Sequence, residues 1–142
     1  MKATRTEKQG APGSRHAAPV RTLIVDDQEP FLEALRRLIA AVPGFVLVGE
    51  ATRGEDALAM VDDVAPQLVL MDIRMPGIGG VAAARSFAEH HSEITVVLIS
   101  VHGQEELPDA LVDGQGPARF VHKQSLRPRM LRELWEQRDS GR

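Results

Sequence analysis

The sequence predicts a single α/β domain with a doubly wound sheet of five parallel strands and five flanking helices. Short apolar runs alternate five times with segments of helical periodicity. Leu68 to Met71 is a run of four apolar residues closed by Asp72 and a Met-Pro-Gly turn, a pattern typical of a strand buried on both faces. The connections are short, which indicates right-handed crossovers between parallel strands.

The first two units each place a helix after a strand. The predicted strands of the whole chain are 22–25, 45–51, 68–71, 94–99 and 119–122. Pro30 suits the first turn of the first helix, and Pro43-Gly44 ends it. Its predicted inward residues are Phe31, Leu35, Leu38 and Val42. Thr52 is the predicted cap of the second helix, which Pro66 ends and whose inward residues are Leu58, Val61 and Val64.

The later helices are less evenly specified. The third is expected from about 81 to 91 with Val81, Ala84 and Ala88 inward. The fourth should be short or irregular, because a proline can only begin a helix and glycines end it early; these residues are Pro108, Gly114, Gly116 and Pro117. Ser125 is a potential cap for the last helix, which carries Met130, Leu131, Leu134 and Trp135.

Composition excludes several classes of protein. A chain of 142 residues that is 43% hydrophobic can bury one sizeable core. We expect a flexible N-terminal tail over 1–20, a domain over 21–138 and a C-terminal tail over 139–142. The net charge of −3 argues against binding nucleic acid or membrane by charge alone. The absence of cysteine excludes disulfides and Cys-ligated zinc, and no apolar run approaches a membrane span, so a cytoplasmic protein is expected.

Polar side chains follow four of the five strands. They are Asp26 and Asp27, Asp72, Ser100 and Lys123. The carboxyl ends of parallel strands form one edge, where ligands bind in open α/β sheets. Three carboxylates in one place repel one another and need a cation, and all-oxygen ligands suit Mg²⁺. In phosphoryl transfer a metal and a lysine neutralise charge while the nucleophile lies in line, so we predict that Asp72 is a phosphate acceptor.

These residues and the motif Met-Asp-Ile-Arg-Met-Pro-Gly around Asp72 resemble the receiver domain of bacterial response regulators, over roughly residues 21 to 136. The resemblance implies a flavodoxin-like fold with strand order 2-1-3-4-5. It also implies that Asp26, Asp27 and Asp72 bind Mg²⁺, and that a sensor histidine kinase donates the phosphoryl group to Asp72. The backbone carbonyl of Arg74 would complete the metal ligands.

The resemblance further implies that Ser100, Phe120 and Lys123 bind the phosphoryl group or rearrange with it. Lys123 is followed by Gln124 in place of a cis-proline, which looks like the NarL/LuxR-type regulators. Those usually carry a DNA-binding output domain, whereas nineteen residues follow Lys123 here. The chain is therefore expected to be a stand-alone receiver or part of a longer regulator, with no direct nucleic-acid binding of its own. Homodimerisation is left open.

Departures from the receiver pattern lead to further expectations. Val101 replaces a small residue after Ser100 and is expected to narrow access to Asp72. His102 is a second expected modulator of the pocket. Phe120 lacks the hydroxyl of the commoner tyrosine, so we expect a conformational switch of lower amplitude.

Four alternatives compete with the switch. Asp26 and Asp27 could simply cap the first helix. A pseudo-receiver would keep the fold while acting by dimerisation or partner contact without phosphorylation. A phosphatase would need a second acid two residues after Asp72, where Arg74 stands. Dinucleotide binding would need a glycine-rich loop after the first strand, where acids stand. We therefore expect a switch module and not a turnover enzyme.

Overall fold

The five strands form one parallel sheet. In this computed structural model, which describes residues 18–101 and 118–138, the strands are β1 Val20–Val25, β2 Phe45–Ala51, β3 Leu68–Asp72, β4 Thr95–Ser100 and β5 Ala118–His122. Their order across the sheet is β2-β1-β3-β4-β5, and every adjacent pair is parallel. The predicted strand order is confirmed, and each predicted strand agrees with the structure within two residues at either end.

Helices connect the first four strands, and a further helix follows β5. They are α1 Glu29–Ala40, α2 Gly54–Ala59, α3 Val61–Val64, α4 Gly79–His90 and α5 Pro128–Glu136, with a 3-10 turn over Lys123–Ser125. The second predicted helix is divided at Met60 into α2 and α3. None of the helices in the described ranges combines the length and apolarity that a membrane crossing requires.

Some predictions fall on residues outside this description. The fourth predicted helix lies within 102–117, so its irregularity stays a prediction. Residues 1–17 and 139–142 make up most of the two predicted tails, and the domain boundaries also stay predictions. β1 begins at Val20, the last residue of the predicted N-terminal tail.

The sheet separates two apolar layers, because successive residues of a strand point to opposite faces. One layer packs under α2, α3 and α4 and includes Leu23, Val69, Leu98 and Phe87. The other packs under α1 and α5 and includes Ile24, Leu70, Ile99, Leu32 and Leu131. Strands β1, β3 and β4 lie in the middle of the sheet and are covered on both faces, which explains their nearly continuous apolar sequences.

The predicted inward face of α1 is partly wrong. Phe31 is 37% exposed and Leu38 is only half-buried, whereas the buried residues are Leu32, Leu35 and Ile39, with Val42 just beyond the helix. Both sets have helical spacing, and the observed one turns three branched aliphatic side chains of the helix towards the sheet. The apolar face of α1 is therefore complete without Phe31.

The predicted face of α4 is also shifted. Ala83, Ala84 and Phe87 are buried there, while Val81 and Ala88 are only half-buried. Phe87 has the largest apolar surface in the helix, and its complete burial in the layer under α4 sets the rotation of the helix.

Both predicted helix caps are wrong. The backbone stays extended through Arg53, which is the N-terminal cap residue of α2 and makes no side-chain cap bond, so Thr52 lies one residue too early. Ser125 belongs to the 3-10 turn after β5. Helix α5 begins at Pro128, because proline fixes a backbone angle that suits the first helical turn.

Candidate functional site

Three predicted carboxylates converge at the carboxyl edge of the sheet. Asp26 follows β1 and Asp72 ends β3, and these strands are neighbours with Val25 beside Met71. One carboxylate oxygen from each of Asp26, Asp27 and Asp72 lies within 4.8 Å of the other two. Asp26 and Asp72 are 1% and 6% exposed, and Asp27 is less buried. The spacing and the all-oxygen chemistry fit a single hard cation such as Mg²⁺.

Lys123 follows the edge strand β5 and brings a positive charge to the three carboxylates. Its Nζ lies 3.0 Å from Oδ2 of Asp26 and 3.5 Å from Oδ1 of Asp72, and its side chain is only 9% exposed. β5 is separated from β3 by β4, and the 3-10 turn that follows β5 begins at Lys123. The lysine therefore reaches the acids across the end of β4.

Ser100 ends β4, the strand between β3 and β5. It lies beside His122 in the register of β4 and β5, and it is 1% exposed. Its strand position puts it at the same edge as Asp72 and Lys123, as predicted. A buried hydroxyl at this edge is a hydrogen-bond donor for an anionic oxygen.

Burial and neighbouring charge make ionisation of Asp72 costly. The pKa of its carboxyl is raised from 3.8 to about 6, first by burial and then by the negative charge of Asp26, with Asp27 adding to the effect. Lys123 opposes the rise in pKa but does not cancel it. A cation bound among the three acids would favour the ionised, nucleophilic form of Asp72.

Asp26 has two distinct contacts. Its Oδ1 accepts a hydrogen bond of 2.9 Å from the backbone N–H of Gln28, and its Oδ2 contacts Lys123. Gln28, and neither aspartate, is the N-terminal cap residue of α1, and no side-chain cap bond is formed there. Helix capping alone therefore does not account for the acidic pair.

The loop between β3 and α4 is tied to its surroundings on both sides. The Ile73 N–H donates to the Ile99 carbonyl at 3.0 Å, and the Ile78 N–H donates to the Glu55 carboxylate at 3.3 Å. The pKa of Glu55 is lowered first by a hydrogen bond from its own backbone N–H and then by this bond from the Ile78 N–H. Arg74 lies in this loop two residues after Asp72, with its side chain exposed, and the metal-binding role of its carbonyl stays a prediction.

The remaining predicted residues lie around this edge. Phe120 is half-buried, packs against the layer under α4, and makes an edge-to-face contact with His122 at 5.6 Å between ring centroids. Val101 is 48% exposed directly after Ser100. His102 lies outside the described residues, as does the segment in which a smaller conformational switch is expected, so both stay predictions.

Phe31 is a site neighbour that sequence reasoning assigned to the core. The Nζ of Lys123 lies 3.5 Å from the centroid of its ring. Phe31 also lines an apolar cleft beside the acids, together with Ala34, Leu35, Leu38, Ile99 and Leu126. One sequence feature could have identified Phe31 as a neighbour of the site. It is an aromatic residue in the first helical turn after the acidic pair, on a helix whose apolar face is complete without it.

Comparison with known proteins identifies the family of this chain. The sequence model of the family described as "Response regulator receiver domain" matches residues 22–134. The response regulator GacA of Pseudomonas viridiflava is 36% identical over 104 residues, which are 73% of this chain and 48% of the relative. The response regulator UvrY of Escherichia coli K12 is 38% identical over 104 residues, 73% of this chain and 47% of the relative. The chain thus spans about half the length of these curated relatives.

Solved structures show the same fold. The receiver domain of the putative response regulator NarL from Mycobacterium tuberculosis superposes with a TM-score of 0.76 at 29% identity, covering 89% of this chain and all of that one. A LuxR-family response regulator from Aurantimonas sp. SI85-9A1 gives a TM-score of 0.73 at 27% identity, with 88% of each chain covered. The chain therefore belongs to the response regulator receiver domain family.

Proposed function

We propose that this chain is a phosphorylation-controlled switch in which Asp72 accepts a phosphoryl group. The observation that carries the proposal is the convergence of three carboxylates within 4.8 Å, with the Lys123 ammonium 3.5 Å from Asp72. This arrangement is not explained by a contribution to the stability of the fold. Like charges gathered at a buried edge oppose folding unless a ligand compensates them.

Phosphoryl transfer would proceed from a phosphohistidine of a sensor histidine kinase. An oxygen of Asp72 attacks phosphorus in line, the bond between phosphorus and the histidine nitrogen breaks, and the electron pair remains on that nitrogen. A Mg²⁺ ion held by Asp26, Asp27, Asp72 and the Arg74 carbonyl would neutralise the charge of the phosphoryl oxygens. Lys123 would contact one of these oxygens as a point charge, and Ser100 would donate its hydroxyl to another.

The proposed switch controls a partner or an output and has no small-molecule substrate of its own. Its relatives are named response regulators and extend beyond the matched region, so an output module in a longer protein is part of the proposal. DNA binding would belong to such a module and not to the residues of this chain. A cytoplasmic location and a homodimer formed on phosphorylation complete the proposal; gel filtration with and without beryllofluoride tests the dimer.

Labelling with a small phosphodonor tests the function directly. Wild type, Asp72→Asn and Asp62→Asn are incubated with acetyl phosphate and Mg²⁺, and the phosphorylated residue is located by mass spectrometry. Asp62 is a suitable control because it is an exposed acid of α3. Label on Asp72 in the wild type and in Asp62→Asn, absent when EDTA replaces Mg²⁺ during the incubation, supports the proposal.

The opposite result would favour the pseudo-receiver. If neither the small donor nor any phosphorylated kinase labels Asp72 while the protein remains folded, the chain acts by phosphorylation-independent partner contact. Label that persists in Asp72→Asn would place the acceptor elsewhere and would also overturn the proposal.

A further inference from the structure

We propose that Phe31 is a positioning residue whose ring covers the Lys123 ammonium and holds it against the acids. The consequence for phosphoryl transfer rests on the function proposed above, whereas the covering itself concerns the folded protein alone. Within the described residues, the Nζ of Lys123 lies 3.5 Å from the ring centroid of Phe31, 3.0 Å from Asp26 and 3.5 Å from Asp72.

The exposure of the two side chains supports this role. Lysine is almost never fully buried unless its charge is paired, and the Lys123 side chain, which is only 9% exposed, lies between the two carboxylates and the Phe31 ring. Phe31 is 37% exposed although it is a large apolar residue, and α1 buries Leu32, Leu35 and Ile39 without it. Its ring is therefore not needed to complete the buried face of α1, and it lies in contact with the lysine.

An aromatic face attracts a cation, because the π-electrons give the ring a negative face. Lysine has a long flexible stem, so holding it in one position costs conformational entropy. An attraction of the usual strength would favour the held position by a factor of about 2 to 30. The ammonium would then already lie beside Asp72 when a phosphoryl group arrives, which is the benefit of a preorganised site.

The first experiment measures the covering without metal or phosphate. The chain contains three lysines, Lys2, Lys8 and Lys123, so acylation by acetic anhydride can be followed for each by peptide mass spectrometry. Phe31→Ala should raise the acylation rate of Lys123 relative to Lys2 and Lys8 by a factor of about 2 to 30, the expected strength of the contact. Phe31→Trp should keep the rate low, and Phe31→Leu should lie between.

Val46→Ala is the matched control, since Val46 is a comparably exposed apolar residue at 39% on β2 and should leave the rate unchanged. Circular dichroism confirms that each variant is folded. If Phe31→Ala does not fold, Phe31→Leu and Phe31→Trp still separate apolar cover from the aromatic contact. Equal Lys123 acylation rates in the wild type and in the folded Phe31 variants would overturn the proposal.

The second experiment asks whether Phe31 acts through Lys123. Phe31→Ala should slow phosphorylation of Asp72 by a small donor in the wild-type background and have no further effect beside Lys123→Met, because residues that act through one contact are not additive. An equal slowing in both backgrounds would indicate a role independent of the lysine and contradict the proposal. If the wild type is never phosphorylated, the proposed function fails, while the acylation rates still decide the covering.

Discussion

Gly80 of α4 lies directly against the main chain of Asp72. A β-carbon at position 80 would overlap the Asp72 carbonyl oxygen and lie 2.8 Å from the Cα of Ile73. The Gly80 N–H also donates to the Ile73 carbonyl at 2.9 Å. The first turn of α4 is thus seated on the strand end that carries the central carboxylate, with no side chain between them.

Gly80→Ala should disturb both the fold and the site. The added methyl group must push α4 away from β3, and such overpacking costs about 1–3 kcal/mol of unfolding free energy. Because the same shift moves Asp72, Mg²⁺ affinity should fall as well. Urea denaturation measures the first effect and titration calorimetry the second.

Gly44→Ala provides the contrast for this prediction. Gly44 has φ of +90°, and a β-carbon added there would meet no atom within 4 Å, so alanine costs about 1–2 kcal/mol through backbone strain alone. Its Mg²⁺ affinity should match the wild type. Unchanged Mg²⁺ affinity in Gly80→Ala would contradict the proposed link between helix seating and the acids.

The metal-free protein should become less stable as Asp72 ionises. Its pKa of about 6 in the folded protein lies above the ordinary value of 3.8, so folding favours the protonated carboxyl. The resulting stability is fully present below about pH 4 and is lost as the pH rises through about 6. Relative to Asp72→Asn, which cannot ionise, the free energy of unfolding of the wild type should fall by up to about 3 kcal/mol over this pH range.

Urea denaturation in EDTA at several pH values compares the two proteins. Adding Mg²⁺ above the window should recover stability in the wild type more than in Asp72→Asn, because a ligand that binds the folded state stabilises it. A stability difference between the two proteins that does not vary with pH would refute the prediction.

Ala65→Gly should stabilise the protein. Ala65 ends α3 with φ of 48° and is exposed, a backbone conformation that costs most side chains about 1–2 kcal/mol and that glycine adopts freely. Part of this gain is offset by the greater freedom of glycine in the unfolded chain, which leaves about 0.5–1 kcal/mol. Thermal unfolding should show a higher Tm.

Ala59→Gly is the matched control, because Ala59 is an exposed alanine with helical backbone at the end of α2. Glycine there should lower the Tm. A decrease of the same size in Ala65→Gly would show that the left-handed backbone at position 65 carries no strain.

Val101→Ala should speed both the phosphorylation of Asp72 by a small donor and the hydrolysis of phosphorylated Asp72. Val101 follows the buried Ser100 and is 48% exposed, so removing its two methyl groups is expected to widen access to Asp72. Both labelling by acetyl phosphate and later hydrolysis of the phosphorylated protein should be several-fold faster. Radiolabel decay measures hydrolysis, and half-lives equal to the wild type would count against a shielding role.

The strands and the acid cluster could be predicted from sequence because each rests on a strong local signal. A run such as Leu68 to Met71 has few alternatives to a buried strand. Parallel strands present their carboxyl ends at one edge, so the convergence of Asp26, Asp72 and Lys123 followed from the topology.

Helix rotation was less predictable because the same apolar spacing fits more than one face. Phe31 lies four residues before Leu35 and Leu32 lies three before it, and residues at either separation share one face of a helix. Only packing against the sheet distinguishes the two pairs. The contact between Phe31 and Lys123 joins residues 92 positions apart, counted from their numbers, and no local pattern encodes it. The caps failed for a related reason, because Arg53 and Pro128 set the helix starts through backbone conformation.

The division of the apolar interior by the sheet also bears on how this chain can diverge. Substitutions in contact influence each other, whereas distant ones usually add. A volume change at Leu70, under α1 and α5, would most readily be compensated at Leu32 or Leu131 in the same layer. Val69 and Phe87 both belong to the other layer, so a volume change at Val69 would most readily be compensated at Phe87. Each layer can therefore drift as a separate evolutionary unit, and relatives should show correlated replacements within a layer more often than between layers.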